Sequence, residues 1–366
     1  MYLEHLWLTD FRNLKSAELS FPSTGLTIVV GNNGQGKTNL IEAVGYAATF
    51  RSFRGATPES LVGWGAERAI VRGEATRSQR RLLIENEIAS GGRTRSLVNR
   101  QTLKRSRSSA EETLMATVFA PDDLRLVKDG PAERRRYIDE LLVDNDPRTD
   151  SLLRDLDRVL RQRNTLLRQS GGRASSEIAT TLDVWDSKFA ELGEIIGEAR
   201  QRLVTELQPL TTQSYQRLSG HTRSGGVVGM TVRTDWRVHD GGKGLLETLS
   251  ANRSSDLARG VTTSGPHRDE ISLSIDGMPA RTHASQGEQR TLALSLRMAG
   301  HDLLTKVAGA PPILLLDDVF SELDEYRSNA LLETIPDGQI LLTTATDIPG
   351  AAKPTATIRV VDGVAS

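Results

Sequence analysis

The sequence predicts an α/β fold: a core assembled from both ends of the chain, with an antiparallel β subdomain and a mainly helical lobe inserted between the halves. Three observations predict it. A glycine-rich turn, GNNGQGKT at 31–38, joins an apolar strand to a helix. Strands and helices alternate at both ends of the chain, and helical spacing of apolar residues fills the middle, from 131 to about 218. The expected division is therefore a discontinuous core of 1–130 and 260–366, with 131–259 as the second, mainly helical lobe.

In chain order, YLEHLWLTDF and AELSF read as two strands joined by a turn, and GLTIVVG at 25–31 as a buried one. Residues 27–30 are apolar on both faces, as a central strand of a covered sheet requires. A helix follows from about 36 to 48, and the alternation between 69 and 103 indicates antiparallel strands. Gly130 and Pro131 open a helical region, because proline in the first turn lacks only an N–H that has no partner there. Leu152, Leu153, Leu156, Val159, Leu160, Leu166 and Leu167 recur at helical spacing, and SGGRASS at 170–176 separates them from a second long helical region. Two antiparallel helices joined by a loop fit this pattern, which is too short for a long coiled-coil arm.

Beyond the Gly-rich HTRSGGVVG at 221–229, strands return as GMTVRTDW and EISLSIDGMPA, with Asp276-Gly277 as a hairpin turn. Then come a helix opened by Ser285, the strand PPILLLDDVF, a short helix DEYRSNALLETI and the strand GQILLTTAT.

The 366 residues are 37% apolar, with no run long enough to cross a bilayer. The N-terminus alternates apolar and polar residues and has no signal-peptide core, so a cytoplasmic location is expected. With no Cys, the chain has no disulfide, thiolate metal site or Cys nucleophile. A net charge of -1 argues against adhesion to nucleic acid by bulk charge. Arg nevertheless clusters at 77–81, 93–107, 134–136 and 154–168, and acids crowd 317–324.

The turn at 31–38 satisfies G-x-x-x-x-G-K-[ST] in the context its chemistry needs. Gly31, Gly34 and Gly36 let backbone N–H groups converge on a phosphate, Lys37 reaches the terminal phosphate oxygens, and Thr38 can ligate Mg2+. In ILLLDDVFSELD, at 313–324, an apolar strand ends in Asp317, which can sit beside that cation. Asp318 could orient water or accept its proton. A second glycine turn, HASQGEQ, opens a helix with Ser285, Gly287 and Glu288, where unpaired N–H groups and the helix dipole suit an anion. It contains no Lys.

The order of these motifs resembles the ABC-type ATPases, in which SQGEQ corresponds to the signature and SELD to the loop after the Walker B strand. Within that superfamily, whose SMC relatives share it, the chain is similar to the RecF family. DFRNL at 10–14, GNNGQGKTNLIEA, RSFRG at 51–55, FAPDDLRLVKDGPAERRRYID at 119–139, TSGPHRDE at 263–270, SQGEQR and LLLDDVFSELD carry the resemblance in order. It implies an ABC-type ATPase core with a P-loop, an antiparallel β subdomain and a helical inserted lobe. It also implies an ATP-dependent homodimer in which the signature of one subunit caps the γ-phosphate held by the other's P-loop. The partner's Lys37 then serves the second glycine turn.

By the same resemblance, Gly31, Asn32, Asn33, Gly34, Gln35, Gly36, Lys37, Thr38 and Asn39 surround ATP, and Thr38 and Asp317 hold Mg2+. Asp318 and Lys37 are the catalytic candidates. Ser285, Gly287 and Glu288 belong to the trans contact, Arg12 and Asn13 are candidates for the base, and Arg54 for a phosphate. Asp318 replaces the usual Glu and, one methylene shorter, implies slow hydrolysis that times release; its stimulation by DNA is implied by the resemblance. Thr343 and Thr344 stand where many relatives place a His, and no Gln stands out near FAPDD. The run His267, Arg268, Asp269 is either a local turn network or a coupling element. The implied function is DNA repair, recombination and replication: binding double-stranded and gapped DNA, helping RecR, and with it RecO, to load RecA, and supporting the SOS response.

Arg154, Arg158 and Arg161 lie at i, i+4 and i+7 on one helix face, a stripe that tracks a phosphate backbone or is simply solvated. Arg135, in the 134–136 cluster, is a further DNA candidate, although cations at a helix N-terminus need partners. With 4% aromatics, a base-stacking platform is poorly supported. A transporter-type nucleotide-binding subunit would need a membrane partner's docking surface and usually LSGGQ; an SMC-like tether would need a long heptad arm. A DNA-processing nuclease would need another block of metal ligands.

Overall fold

A computed structural model describes residues 1–91, 94–102, 113–173, 175–220, 226–237, 243–335, 337–344 and 352–366, with only the backbone of Glu322. Parts of the 93–107 Arg cluster and of the glycine-rich 221–229 stretch lie outside the described residues, as does the end of the last expected strand, at 345–346. The chain forms two compact units: Met1–Leu124 with Leu210–Gly226 and Arg290–Ser366, and Arg125–Pro209 with Val227–Gln289.

In the first unit, a parallel sheet carries Ala116–Phe119, Ile313–Asp317, Gln339–Thr344, Gly25–Val30 and Pro354–Val361 in that spatial order, with Val364–Ala365 antiparallel at the edge. Alternate side chains serve its two faces. Val29, Leu315 and Leu341 join one core, and Ile28, Leu314, Leu316 and Leu342 join the other, where Leu294, Met298 and Leu331 cover them. Burial on both faces is why these strands read as unbroken apolar runs.

A second, antiparallel sheet holds Leu14–Ser20, Tyr2–Phe11, Arg68–Arg77, Arg80–Ala89, Arg95–Val98 and Gln101–Thr102 in order. The helix Lys37–Thr49 shares one core with both sheets: Leu40, Ile41 and Val44 join Leu3, Leu6 and Leu8 on one side and Val29, Leu315 and Leu341 on the other. Such a helix needs no polar face. The buried amide of Gln339 ties the sheets together, donating to Leu3 O (2.7 Å) and Pro22 O (2.8 Å) and accepting from Leu3 N (2.8 Å).

In the second unit, helices Pro131–Asn145, Arg148–Gln169 and Leu245–Arg259 and part of the long helix Ser176–Ser219 accompany a three-stranded antiparallel sheet. The helical region from 131 divides where the sequence suggested continuity, because Asp146 precedes Pro147 and a residue before proline is pushed out of the helical region. Leu156 and Val159 pack with Phe189, Leu192 and Ile196, and Leu167 with Leu182, as an antiparallel pair requires. The hairpin turn forms as expected, with Asp276 and Gly277 both at positive φ. The strand Pro354–Val361 and the helix Leu245–Arg259 were not anticipated from the sequence.

Candidate nucleotide site

The glycine turn ends the strand Gly25–Val30 and runs into the helix Lys37–Thr49. Gly34 and Gly36 have φ of 81° and 116°, backbone states open mainly to glycine. A Cβ on Gly34 would meet nothing within 4 Å, so the loop presents an open cradle of backbone groups. Lys37, largely buried, lies over the loop and donates from Nζ to Gly31 O (2.7 Å) and Asn32 O (3.0 Å). Asn32, Asn33 and Gly34 are exposed.

Thr38 Oγ1 donates to Asp317 Oδ1 at 2.9 Å, joining the two motifs across 279 positions of sequence. Thr343 Oγ1 donates to the same oxygen at 2.8 Å. Burial pushes the Asp317 carboxyl up, and hydrogen bonds from Thr343 and Thr38 pull it back. One carboxylate and one hydroxyl are a hard, oxygen-only donor set, which fits Mg2+ that completes its shell with phosphates and water. Asp318 follows in the left-handed region (φ 49°), its N–H bonded to Thr343 Oγ1 at 2.9 Å.

Glu42, fully buried on the P-loop helix, gathers the flanking cations. It accepts Arg12 Nε and Nη2 at 2.9 Å each and Ser52 Oγ at 2.5 Å, with Arg54 Nη1 at 3.8 Å. Arg12 is further held by Ser60 O at 2.7 Å. Asn13 donates to Gln35 O (3.0 Å) and accepts from Asn39 (2.8 Å), whose Oδ1 lies 3.5 Å from Arg54 Nη1. The structure thus brings Arg12, Asn13, Asn39 and Arg54 together beside the P-loop. Sequence reasoning missed Glu42, although a lone acid in the otherwise apolar LIEAVGYAA was a signal of a buried, paired carboxylate. It also missed the turn at Asp362 and Gly363, whose N–H groups bond Gln35 Oε1 and Gln35 O.

Where a Gln was absent from FAPDD, Asp123 accepts from Ala120 N and from Arg297 (2.6 and 2.9 Å). In the second unit, Ser285 and Glu288 form a reciprocal cap. Glu288 Oε2 accepts Ser285 N (2.7 Å), and Ser285 Oγ accepts Glu288 N (3.3 Å), at the start of the helix Gln286–Ala308, which contains Gly287. The helix start is real, and its acid is engaged with it.

The GPHRDE run forms a local network. Asp269, buried, accepts from Trp236 Nε1 (3.0 Å) and lies 3.4 Å from Arg200 Nη1. Burial raises its carboxyl to about 6, against the pull of Arg200 and Trp236. His267 approaches Thr262 O at 3.1 Å and Phe189 edge-on, and burial lowers its imidazole to about 4.

The DNA candidates are all engaged. Arg135 donates to Asp269 O (2.6 Å), Arg134 is buried against Glu270, and Arg136 pairs with Glu133, so the cluster at this helix start has the partners it needs. Arg154, Arg158 and Arg161 are exposed, and each pairs with an acid of its own helix, Asp150, Asp155 and Asp157. Among the described residues no helix is long and apolar enough to cross a membrane.

Comparison with known proteins follows the same line. The RecF/RecN/SMC N terminal domain family matches residues 2–348. The DNA replication and repair protein RecF of Frankia alni is 42% identical over 374 residues, covering 99% of this chain and 98% of that one. That of Streptomyces avermitilis is 40% identical over 364 residues, covering 96% and 95%. A solved structure of the recombination mediator protein RecF with ATP, in the RecFOR pathway, superposes with a TM-score of 0.88 at 29% identity, covering 100% of this chain and 97% of that one. An Smc head domain from Pyrococcus furiosus shares the fold, with a TM-score of 0.56 at 18% identity and coverage of 100% and 95%.

Proposed function

This chain belongs to the RecF family of DNA replication and repair proteins, and on that premise we propose that it is an ATP-dependent DNA clamp, dimeric when nucleotide is bound. The observation that carries the reading is the 2.9 Å bond between Thr38 and Asp317, which makes the P-loop and the apolar acid-tipped strand one site.

In this reading the backbone from Gly31 to Gly36 cradles the phosphates, and Lys37 exchanges its two carbonyl partners for phosphate oxygens. Thr38 and Asp317 hold Mg2+, which when bound neutralises charge on the phosphate oxygens. Asp318 orients the attacking water and takes its proton, slowly because its side chain is short. Arg54 leaves Glu42 for a phosphate, and Arg12, Asn13 and Asn39 shape the rest of the pocket. Ser285 and Gly287 of one copy face the nucleotide of the other, where the capped helix start still offers N–H groups to an anion.

Duplex and gapped DNA are the proposed ligands, bound through phosphates and so without strong sequence preference. Arg154, Arg158 and Arg161, themselves exposed, can exchange their intrahelical acids for phosphates at small cost, since surface pairs are worth about 1 kcal/mol or less. Arg135 is the weaker candidate, being held by a carbonyl. A structural relative belonging to the RecFOR pathway supports RecR, with RecO, as the partner; loading of RecA at gaps and induction of the SOS response complete this proposed role. The setting is then the cytoplasm.

The test is light-scattering mass with and without ATP and Mg2+, repeated with duplex DNA at two salt concentrations. The expected result is a monomer that doubles in mass only with ATP and then binds duplex in a salt-sensitive way. An unchanged mass with no duplex binding overturns the clamp.

A further inference from the structure

Thr343, with Thr344, lies at the end of the strand where, by resemblance, many relatives place a His. The Thr343 side chain is 1% exposed, and both capacities of its hydroxyl are committed inside the protein. It donates to Asp317 Oδ1 (2.8 Å) and accepts the Asp318 N–H (2.9 Å). The pairing follows from register: Asp317 and Thr343 are direct partners on adjacent parallel strands. A β-branched side chain is stiff at χ1, so the strand fixes where the hydroxyl points.

Two hydroxyls converge on Asp317 Oδ1, those of Thr38 and Thr343. The proposed function gives Thr38 to Mg2+, which leaves Thr343 to hold the oxygen. The same hydroxyl meets the backbone of Asp318, which adopts φ 49° and ψ 31°, uncommon for a residue with a Cβ. A single side chain therefore orients both acids, one through its carboxylate and one through its amide.

We propose that Thr343 is the positioning residue of this site, setting the Asp317 carboxylate for Mg2+–ATP and the Asp318 backbone for water activation, in place of a residue that touches the nucleotide. This rests on the ATPase reading above. Outer-shell partners of metal ligands change affinity or activity by about 10- to 100-fold when removed. Thr343→Val keeps the branched shape and removes the hydroxyl; Thr343→Ser keeps the hydroxyl.

The experiment compares the full-length wild type, T343V and T343S, measuring ATP affinity in Mg2+ and in EDTA beside turnover. T343V should match wild type in EDTA, lose about 10- to 100-fold of the affinity gained from Mg2+, and lose a similar factor in kcat. T343S should recover most of both. If T343V does not fold, T343A makes the same comparison with a smaller side chain. A T343V protein with wild-type kcat and Mg2+ response overturns the proposal. So does an equal loss of affinity in Mg2+ and EDTA that T343S fails to rescue, since that marks packing alone. A wild type without Mg2+-dependent ATP binding overturns the ATPase reading itself, and this proposal with it.

Discussion

Glu42 and Arg12 form a two-pronged ion pair, with Nε and Nη2 each 2.9 Å from a separate carboxylate oxygen and the Glu42 side chain wholly buried. Removing one member of a buried pair strands the other. Glu42→Gln is therefore expected to destabilise the first unit by about 3 kcal/mol, read from the urea midpoint at unchanged m-value. A change below about 0.5 kcal/mol would show that solvent or another acid compensates Arg12.

Gly363 stands at φ 76°, and a Cβ there would lie 2.2 Å from Asn13 O, a backbone atom that cannot swing aside. Gly363→Ala should displace the turn from Gln35 and weaken ATP binding as well as stability, by roughly 1–3 kcal/mol of strain. Isothermal titration with ATP and a thermal melt check both; a loss of stability with full ATP affinity would separate this turn from the P-loop.

Two groups of the second unit, Asp269 buried and His267 partly so, oppose each other in acid. Asp269, raised to about 6 by burial, favours folding below the ordinary carboxylate range, and that contribution disappears as pH rises through about 6. His267, lowered to about 4 by burial, contributes above its ordinary value of 6.5, and this is lost as pH falls through about 4. Between about 4 and 6 the folded Asp269 holds a proton that the unfolded chain has released, whereas the unfolded chain holds one that folded His267 lacks. Their slopes cancel. Asp269→Asn should leave stability rising with pH across that window by up to about 1.4 kcal/mol per unit more than wild type, and His267→Gln should tilt it the other way. Urea midpoints at pH 4.5, 5.25 and 6 decide; identical slopes in all three proteins would contradict the assignment.

Lys37→Arg should weaken ATP-driven closure, and Ser285→Arg should leave ATP binding nearly intact while blocking dimerisation. If the two glycine turns serve one nucleotide from opposite subunits, mixing the variants regains one working site in two. Turnover of the mixture that stays at the sum of the separate variants would rule out the trans geometry.

The parts of the site that could be read from the sequence are those whose chemistry is local. GNNGQGKT lies between a strand and the helix it feeds, and ILLLD ends in the acid that meets Thr38, so residue type and spacing sufficed. The parts that escaped depend on distant partners. PTATIRVV alternates like any edge strand, and nothing within it names Gly25–Val30 as its neighbour. Glu42 is an ordinary polar residue until Arg12 is placed against it, and Thr343, singled out only for standing where relatives place a His, shows its hold on Asp317 only once the two strands are paired. Leu245–Arg259 mixes Ser, Asn and Arg with few apolar positions, so its period was weak, and packing of Leu245 and Leu249 beside Trp236 accompanies it. Residues 210–226 group with the first unit, where the sequence reading kept them in the helical lobe, because a helical period marks a helix without marking the core its residues join.

The strand that feeds the P-loop lies between Gln339–Thr344 and Pro354–Val361, both more than 300 positions later in the chain. During synthesis, residues 25–30 leave the ribosome long before either neighbour exists. The nascent chain must therefore carry an apolar strand with unpaired edges until translation has passed Val361, a long-range closure of the kind that is slow and exposed to aggregation. The second unit's residues, 125–209 and 227–289, are complete well before then. The site likewise waits for the late part of the chain: a product that stops between Thr38 and Ile313 holds every P-loop residue but lacks Asp317, the partner of Thr38.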